Sequence, residues 1–318
     1  MEIFELVEQL KTKFFEVREF HANSNIYLLL DCANPVGRDD PLHLQELLAR
    51  EVQRENVRIG RSSETDDVDW QPMLWPIFRA GESGYADEQL IELSLYSAVD
   101  RCASVNGAYV AGWIASDLWL SALAAHILRL GQVFDIHQGR SRDIRVYEPH
   151  RMALLVDDDA SQAFLSSYLS PIHYWGFVDV AGQLREIQGL AVPTDGTARS
   201  DRHLPLSQCR SQSRVSLARQ ALLGAKKAEI TIPPNAERSV DLILAEAERQ
   251  GLTDAEDKIF FALNSLSLST QWHAHPEAQK LIRLSAVEGR PLAWLFSEMP
   301  EALLNELGRS RNESFRSP

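Results

Sequence analysis

Cysteine is scarce in this sequence, and so is positive charge. Cys32, Cys102 and Cys209 are odd in number and far apart, with no paired spacing of the kind that holds zinc or forms a redox dithiol. They read as buried or half-buried thiols in a reducing compartment. Lys and Arg total 32 against 45 Asp and Glu, a formal charge of −13. A general nucleic-acid binder needs a net basic face to displace counterions, so that class is set aside. Simple adsorption to an anionic membrane is disfavoured for the same reason. Long hydrophobic runs are missing as well. The most apolar stretch, LWLSALAAHILRLGQVF, is broken by His126 and Arg129 and falls short of a bilayer span. The opening MEIFELVEQLKTKFFEV is acidic and amphipathic, unlike a basic leader followed by an apolar core. The expectation is a soluble, cytoplasmic protein.

Chemical signatures are equally sparse. LLGAKKAE has a glycine and lysines but not the spacing of a phosphate loop, and neither G-x-S-x-G nor H-E-x-x-H occurs. His273 and His275 flank Ala274 beside Trp272. Two imidazoles are too few for a closed metal site, and a turn with Pro276 opening the next helix explains them. Asp157, Asp158 and Asp159 lack the alternating oxygen ligands of a calcium loop and read as a solvated acidic turn. His126 and Arg129, one turn apart on an apolar helix, read as polar groups satisfied by partners. No catalytic residue, metal ligand or cofactor is assigned on these grounds.

What the sequence does have is patterned hydrophobicity. With 318 residues, 45% of them hydrophobic, it can bury a sizeable core in one large or two ordinary domains. Ile3, Leu6, Val7, Leu10, Phe14 and Val17 form one helical stripe over residues 2–20. NIYLLLDCA (25–33) reads as a buried strand ending in Asp31, and PLHLQELLAREVQ as a helix opened by Pro41. Pro72 and Pro76 forbid a regular helix in RSSETDDVDWQPMLWPIF, leaving a loop into a short strand. EQLIELSLYSAV is helical. GAYVAGWIAS is a strand whose Ser116-Asp117 end is suited to cap the next helix, Leu118 to Leu130. QVFDIH and IRVYE form one expected hairpin through Gly139; HYWGFVDV and QLREIQG form another across Ala181-Gly182.

After about Val192 the character changes. PTDGTARSDRHLPLSQCRSQSR has little periodic hydrophobicity and is rich in Ser, Thr, Gly and Arg, as a linker or mobile loop would be. Helical patterns then continue to the end, with Gly251 and Gly289 at helix stops. The expected architecture is α/β (α+β): a mixed-sheet lobe over 1–192, a linker over 193–214, and an all-helical lobe over 215–318.

The junction IRVYEPHRMALLV (144–156) combines a carboxylate, a proline and basic residues. As a strand it sets Ile144 and Val146 opposite Arg145 and Tyr147. Pro149 suits the first turn of a helix, and Glu148 can bridge to Arg145 or Arg151 near its positive end. An acid beside arginines stays ionised and shuttles protons poorly, so the junction reads as a structural clasp.

The order of segments YLLLDCA, GWIASDLWLSALAAHILRL, IRVYEPHRMALL and YLSPIHYWGFVD resembles the type VI secretion effector-adaptor family (Tap or TEC proteins) over about residues 25–180. The resemblance rests on Asp31, His126, Arg145, Tyr147, Pro149, Arg151 and Trp175, with Glu148 where the family usually has Asp and His150 where it usually has Arg. It implies a non-catalytic adaptor or chaperone. Such a protein binds a secreted effector toxin and helps load it onto the VgrG spike protein, with no nucleic acid or membrane as partner. Apolar and aromatic anchors would then carry binding. Candidates are the 70–78 loop, unusually dense in aromatics for a loop, with Trp70, Trp75 and Phe78, and the basic 199–227 segment, with Arg210, Arg214 and Arg219. Two other readings stay open: an immunity-type protein that binds and inhibits a toxin, and an enzyme assembled from dispersed residues such as Asp31, His126 and Arg145.

Overall fold

A computed structural model describes residues 3–50, 55–60, 71–82, 86–104, 107–135, 139–157, 165, 168–189, 206–233, 235–268, 271–300, 303 and 307. The chain forms two compact units, Met1–Cys209 and Arg210–Pro318.

The first unit is built on a six-stranded sheet, and its chemistry follows from the strands' composition. Strands β1 (Asn25–Leu30), β3 (Met73–Phe78) and β4 (Val110–Ser116) are buried along their whole length. Two short partners, β2 (Val57–Arg58) and β8 (Leu184–Gln188), form the edges, and β7 (Ile172–Val178) completes the order β2-β3-β1-β4-β7-β8. Near-continuous apolar runs such as NIYLLL suit strands covered on both faces. Side chains alternate accordingly. Ile26, Leu28 and Leu30 pack on one face with helices α1 (Ile3–Phe20) and α3 (Glu88–Arg101). Tyr27 and Leu29 pack on the other with α4 (Leu120–Gly131) and α5 (Pro149–Val156). The sheet is thus the middle layer of three. A short helix α2 (Leu44–Arg50) and a separate hairpin, β5 (Gln132–Asp135) with β6 (Arg140–Asp143), lie outside this sheet.

The α+β class agrees with the sequence, while the sheet itself is antiparallel at every junction rather than mixed. The helices interleaved with the strands do not imply parallel neighbours. β3 and β4 both pair with β1, so the α3 crossover passes over a strand already in place. Pro76 is accommodated in β3 because β2 pairs only with Met73 and Leu74 and has ended before it. The β7–β8 hairpin turns as expected, with Asp179 Oδ1 accepting from the Ala181 and Gln183 N–H groups at 3.0 and 2.9 Å. Ser116 does not cap α4. Its hydroxyl accepts from Leu118 N–H in the preceding turn, and Asp117 Oδ1 instead accepts from Ser24 Oγ at 3.2 Å, with His173 Nε2 3.0 Å away.

The structure corrects the last part, 206–214, of the linker expected over 193–214. Residues from Leu206 belong to helix α6 (Leu206–Lys227), and 193–205 lie outside the described residues. The buried positions of α6 recur at helical spacing but are filled by Gln208, Cys209, Ser211, Val215, Ala218 and Ala221. Small and polar residues hid that periodicity from a hydrophobicity reading.

In the second unit α6 continues into α7 (Ala236–Arg249), α8 (Ala255–Ser267), a 3-10 turn at Trp272–Ala274, α9 (Pro276–Glu288) and α10 (Leu292–Ser297). Phe261, Trp272, Ile282, Leu292 and Phe296 form its core. Asp257 ties three of these helices together: it accepts from Ser285 Oγ at 2.9 Å and from Leu292 N–H at 2.7 Å. Gly289 stops α9 in a left-handed conformation, φ 67°, as its place in the sequence foretold.

One backbone position controls the sheet's closure. Leu29 pairs with Gly112 but Leu30 with Val110, so Ala111 is the extra residue of a bulge. Gly112 has φ 153°, and a Cβ there would lie 2.4 Å from the Gly176 carbonyl oxygen of the neighbouring strand. Backbone cannot yield to that contact. Gly112→Ala is expected to lower unfolding free energy by about 3 kcal/mol, measured by urea titration; an unchanged midpoint would contradict this packing.

Candidate functional site

The end of β1 and the turn before α5 bring four of the motif residues together. As β1 finishes, Asp31 N–H donates to the Tyr109 carbonyl at 2.7 Å, and the chain turns. The Asp31 carboxylate accepts from Ala33 N–H at 3.2 Å and from Asn34 Nδ2 at 2.8 Å. Burial pushes its pKa up to about 6, against the Ala33 N–H and the Arg145 charge, which favour the ionised form; the Glu148 charge adds to the rise. Burial likewise raises the Tyr147 phenol well above its ordinary value, and the neighbouring Asp31 reinforces this. Arg145 and Glu148 also act on Tyr147, so Asp31, Arg145, Tyr147 and Glu148 share one electrostatic neighbourhood.

The backbone there is not the strand expected from IRVYE. The strand pairing with Gln132–Asp135 is Arg140–Asp143, and 144–148 is a turn. Glu148 N–H donates to the Arg145 carbonyl at 2.9 Å, and Pro149 takes the first helical position. Val146 and Tyr147 are buried against α4 and α5, which fixes the turn. Glu148 reaches both expected arginines: Arg151 Nε at 2.8 Å and Arg145 at 3.8 Å. The clasp therefore joins a turn, not a strand, to its helix.

A carboxyl poised near 6 is the sort of group used in general acid–base chemistry. Here both oxygens are committed to the turn after β1, and the residue is 2% exposed. What this arrangement does is hold β1 and its turn in place. The folded carboxyl accepts a proton more readily than the usual 3.8. Its contribution to stability is therefore full below about pH 4 and is lost as pH rises through about 6. Asp31→Asn removes that dependence. Relative to the parent, the variant should gain about 2 kcal/mol between pH 4.5 and 7.5, read from urea unfolding at the two values; a constant difference would show that Asp31 does not titrate with folding.

His126 and Trp175 stand elsewhere. The His126 ring Nε2 lies 3.1 Å from the Leu169 carbonyl beneath α4. Trp175 is wholly buried in β7, its indole nitrogen over Gly112. His273 and His275 form a turn as expected, His275 Nδ1 accepting from Glu277 N–H at 3.3 Å ahead of Pro276. Asp157 pairs with Arg185; Asp158 and Asp159 lie outside the described residues. Among the described residues no group of three His, Cys, Asp or Glu side chains is placed to hold a metal ion, and no helix is long and apolar enough to cross a membrane.

The partner-binding candidates are largely relocated. Trp70 lies outside the described residues, whereas Trp75 and Phe78 are core side chains of β3, 1% and 5% exposed. Arg18 covers Phe78, its guanidinium carbon 3.6 Å from the ring centroid. These aromatics cluster because β3 is sandwiched between helical layers, not because a loop displays them. Arg210 is exposed and Arg219 half-buried. Arg214 is buried against Asp241 at 2.7 Å and also meets Glu248 at 3.2 Å. Asp241, 1% exposed, further accepts from Ser211 Oγ at 2.6 Å. Arg214→Ala would leave that buried carboxylate undercompensated and should cost about 3 kcal/mol of stability; a variant that melts with the parent would return Arg214 to the surface.

The large apolar side chains that stand exposed are other residues. Phe4, Phe15 and Phe20 on α1, Tyr96 on α3 and Trp119 before α4 are all more than half exposed; in the second unit Leu242, Val287 and Trp294 stand out similarly. The signal was present in α1, where aromatics occupy positions off its apolar stripe. At the end of α1, the His21 and His173 rings stack at 3.9 Å, and His173 Nε2 lies 3.0 Å from Asp117.

Comparison with protein-family models, curated proteins and solved structures finds no match to this chain. The adaptor resemblance therefore stands on the ordered motifs alone.

Proposed function

We propose that this chain is an adaptor that binds a secreted effector toxin and helps load it onto the VgrG spike of a type VI secretion system. The observation that carries the reading is the display of large apolar side chains on each unit: Phe4, Phe15, Phe20 and Tyr96 on one, Leu242, Val287 and Trp294 on the other. Exposed aromatics at helix surfaces are the residues that anchor protein–protein contacts. The ordered-motif resemblance supplies the identity of the partners. Asp31, Tyr147 and Glu148, with Arg145 on the outside of the turn, then serve as the framework on which those surfaces are held.

The enzyme alternative draws on the raised pKa of Asp31, although both carboxylate oxygens are already engaged within the turn after β1. It predicts a hydrolytic activity that Asp31→Asn abolishes without unfolding the protein. The adaptor reading predicts something else. Affinity purification from the native bacterium should recover a large toxin-like protein and a VgrG spike in near-stoichiometric amounts, and deletion of the chain should block the toxin's export. Purified chain should leave the toxin's activity intact. Stoichiometric neutralisation would instead identify an immunity protein, and a chain recovered alone while the secretion system is expressed would contradict the proposal.

A further inference from the structure

The outer side of α1 and α3 carries a cleft with a definite chemistry. The two helices run antiparallel: Lys11 meets Glu88 and Glu92, while Phe14, Phe15 and Arg18 border Ala86, Glu88 and Ile91. Phe4, Glu8, Lys11 and Phe15 recur at helical spacing along one stripe of α1, and Glu88, Glu92 and Tyr96 along one stripe of α3. Between the helices lies a cleft of about 300 Å³ with Phe14, Ala86 and Ile91 at its base, Phe15 exposed beside them, and Lys11, Thr12, Arg18 and Glu88 also on its wall.

Charge is distributed unequally across this face. Lys11 is met by Glu8, Glu88 and Glu92 at 3.6, 3.1 and 3.2 Å. Its side chain is 22% exposed, against 53%, 59% and 49% for the three glutamates. The cation is on the inside and the carboxylates on the outside. Arg18, also on the wall, is turned onto the Phe78 ring. The surface met by an approaching partner is therefore apolar in the cleft and acidic at the rim.

We infer that this cleft docks a basic amphipathic helix of a partner protein, whose apolar side chains pack on Phe15 while its Lys or Arg side chains meet Glu8, Glu88 and Glu92. The partner arrives as a helix because α1 and α3 satisfy their own backbone groups and offer no strand edge; a segment laid on them must bring its backbone already paired. A groove between antiparallel helices also accepts the ridge of a third. A second copy of the chain is disfavoured, since a symmetric contact would set these carboxylates against themselves. An anionic membrane meets the same repulsion. The inference names one binding face within the adaptor reading.

The probe is a displayed library of amphipathic peptides about 18 residues long, some five turns of helix, with Leu and Phe fixed at helical spacing and polar positions drawn from Lys, Arg, Glu, Gln and Ser. Selection on the full chain should enrich Lys and Arg. Phe15→Asp should weaken the selected peptides about tenfold or more with an unchanged thermal midpoint, because Phe15 is 68% exposed. The double variant Glu88→Lys, Glu92→Lys should select Glu-rich peptides instead. Selection without charge preference, equal binding to Phe15→Asp, no binders at all, or a dimer in sedimentation that Phe15→Asp dissociates would each overturn the assignment. Basic peptides selected by a chain that recovers no spike or toxin from cells would sink the adaptor reading and leave the cleft assignment standing; the reverse result would do the opposite.

Discussion

Burial of one antiparallel sheet on both faces is the constraint from which the first unit follows. β1, β3 and β4 have no face turned to water, so they must be apolar at almost every position, and polar groups are pushed to strand ends. Asp31 follows β1, Asp117 follows β4 and Asp179 follows β7. Each is held there by hydrogen bonds, Asp31 and Asp179 from nearby N–H groups and Asp117 from Ser24 Oγ. The same enclosure leaves no room for error between strands, which is why the bulge at Gly112 faces the Gly176 backbone so closely.

That constraint also explains what the polar chemistry of the junction is for. A buried carboxyl with a raised pKa and a buried phenol beside it resemble the parts of a proton-transfer site. The carboxyl's partners, however, are the backbone and side chain of the next three residues, and the outer charges of Glu148 pair with Arg145 and Arg151. The junction commits its polar groups to fixing the turn into α5. On the proposed adaptor reading, recognition falls to side chains that the packing leaves outside.

Much of the fold was legible in the sequence. The α1 stripe, the continuous apolar strands, the second hairpin and the glycine helix stops all follow from periodicity and local conformational preference. Three features were not. The short strand after Pro72 was legible, but not its run through Pro76, which is tolerated because the neighbouring β2 is so short. The start of α6 was hidden because Gln208, Ser211 and Arg214 are buried through hydrogen bonds and an ion pair, not through hydrophobicity. The turn at 144–148 alternates like a strand because Val146 and Tyr147 are both drawn into the core. The candidate surface was less legible than the fold. A high density of aromatics marked Trp75 and Phe78, which the sheet encloses, whereas Phe4 and Phe15 sit outside any such cluster, on a helix whose other face is the one that packs.

On the proposed reading, the motif residues hold the fold while exposed aromatics make the contacts. Hydroxyl-radical footprinting of the chain alone and in complex with its co-purified partners tests this directly, because aromatic side chains report their own solvent access. Protection on binding is expected at Phe15, Tyr96 or Trp294, with Tyr147 and Trp175 unreactive in both states. Strong reactivity of Tyr147 in the free chain that disappears in the complex, with the surface aromatics unchanged, would contradict it and make the Asp31–Tyr147 junction the binding site.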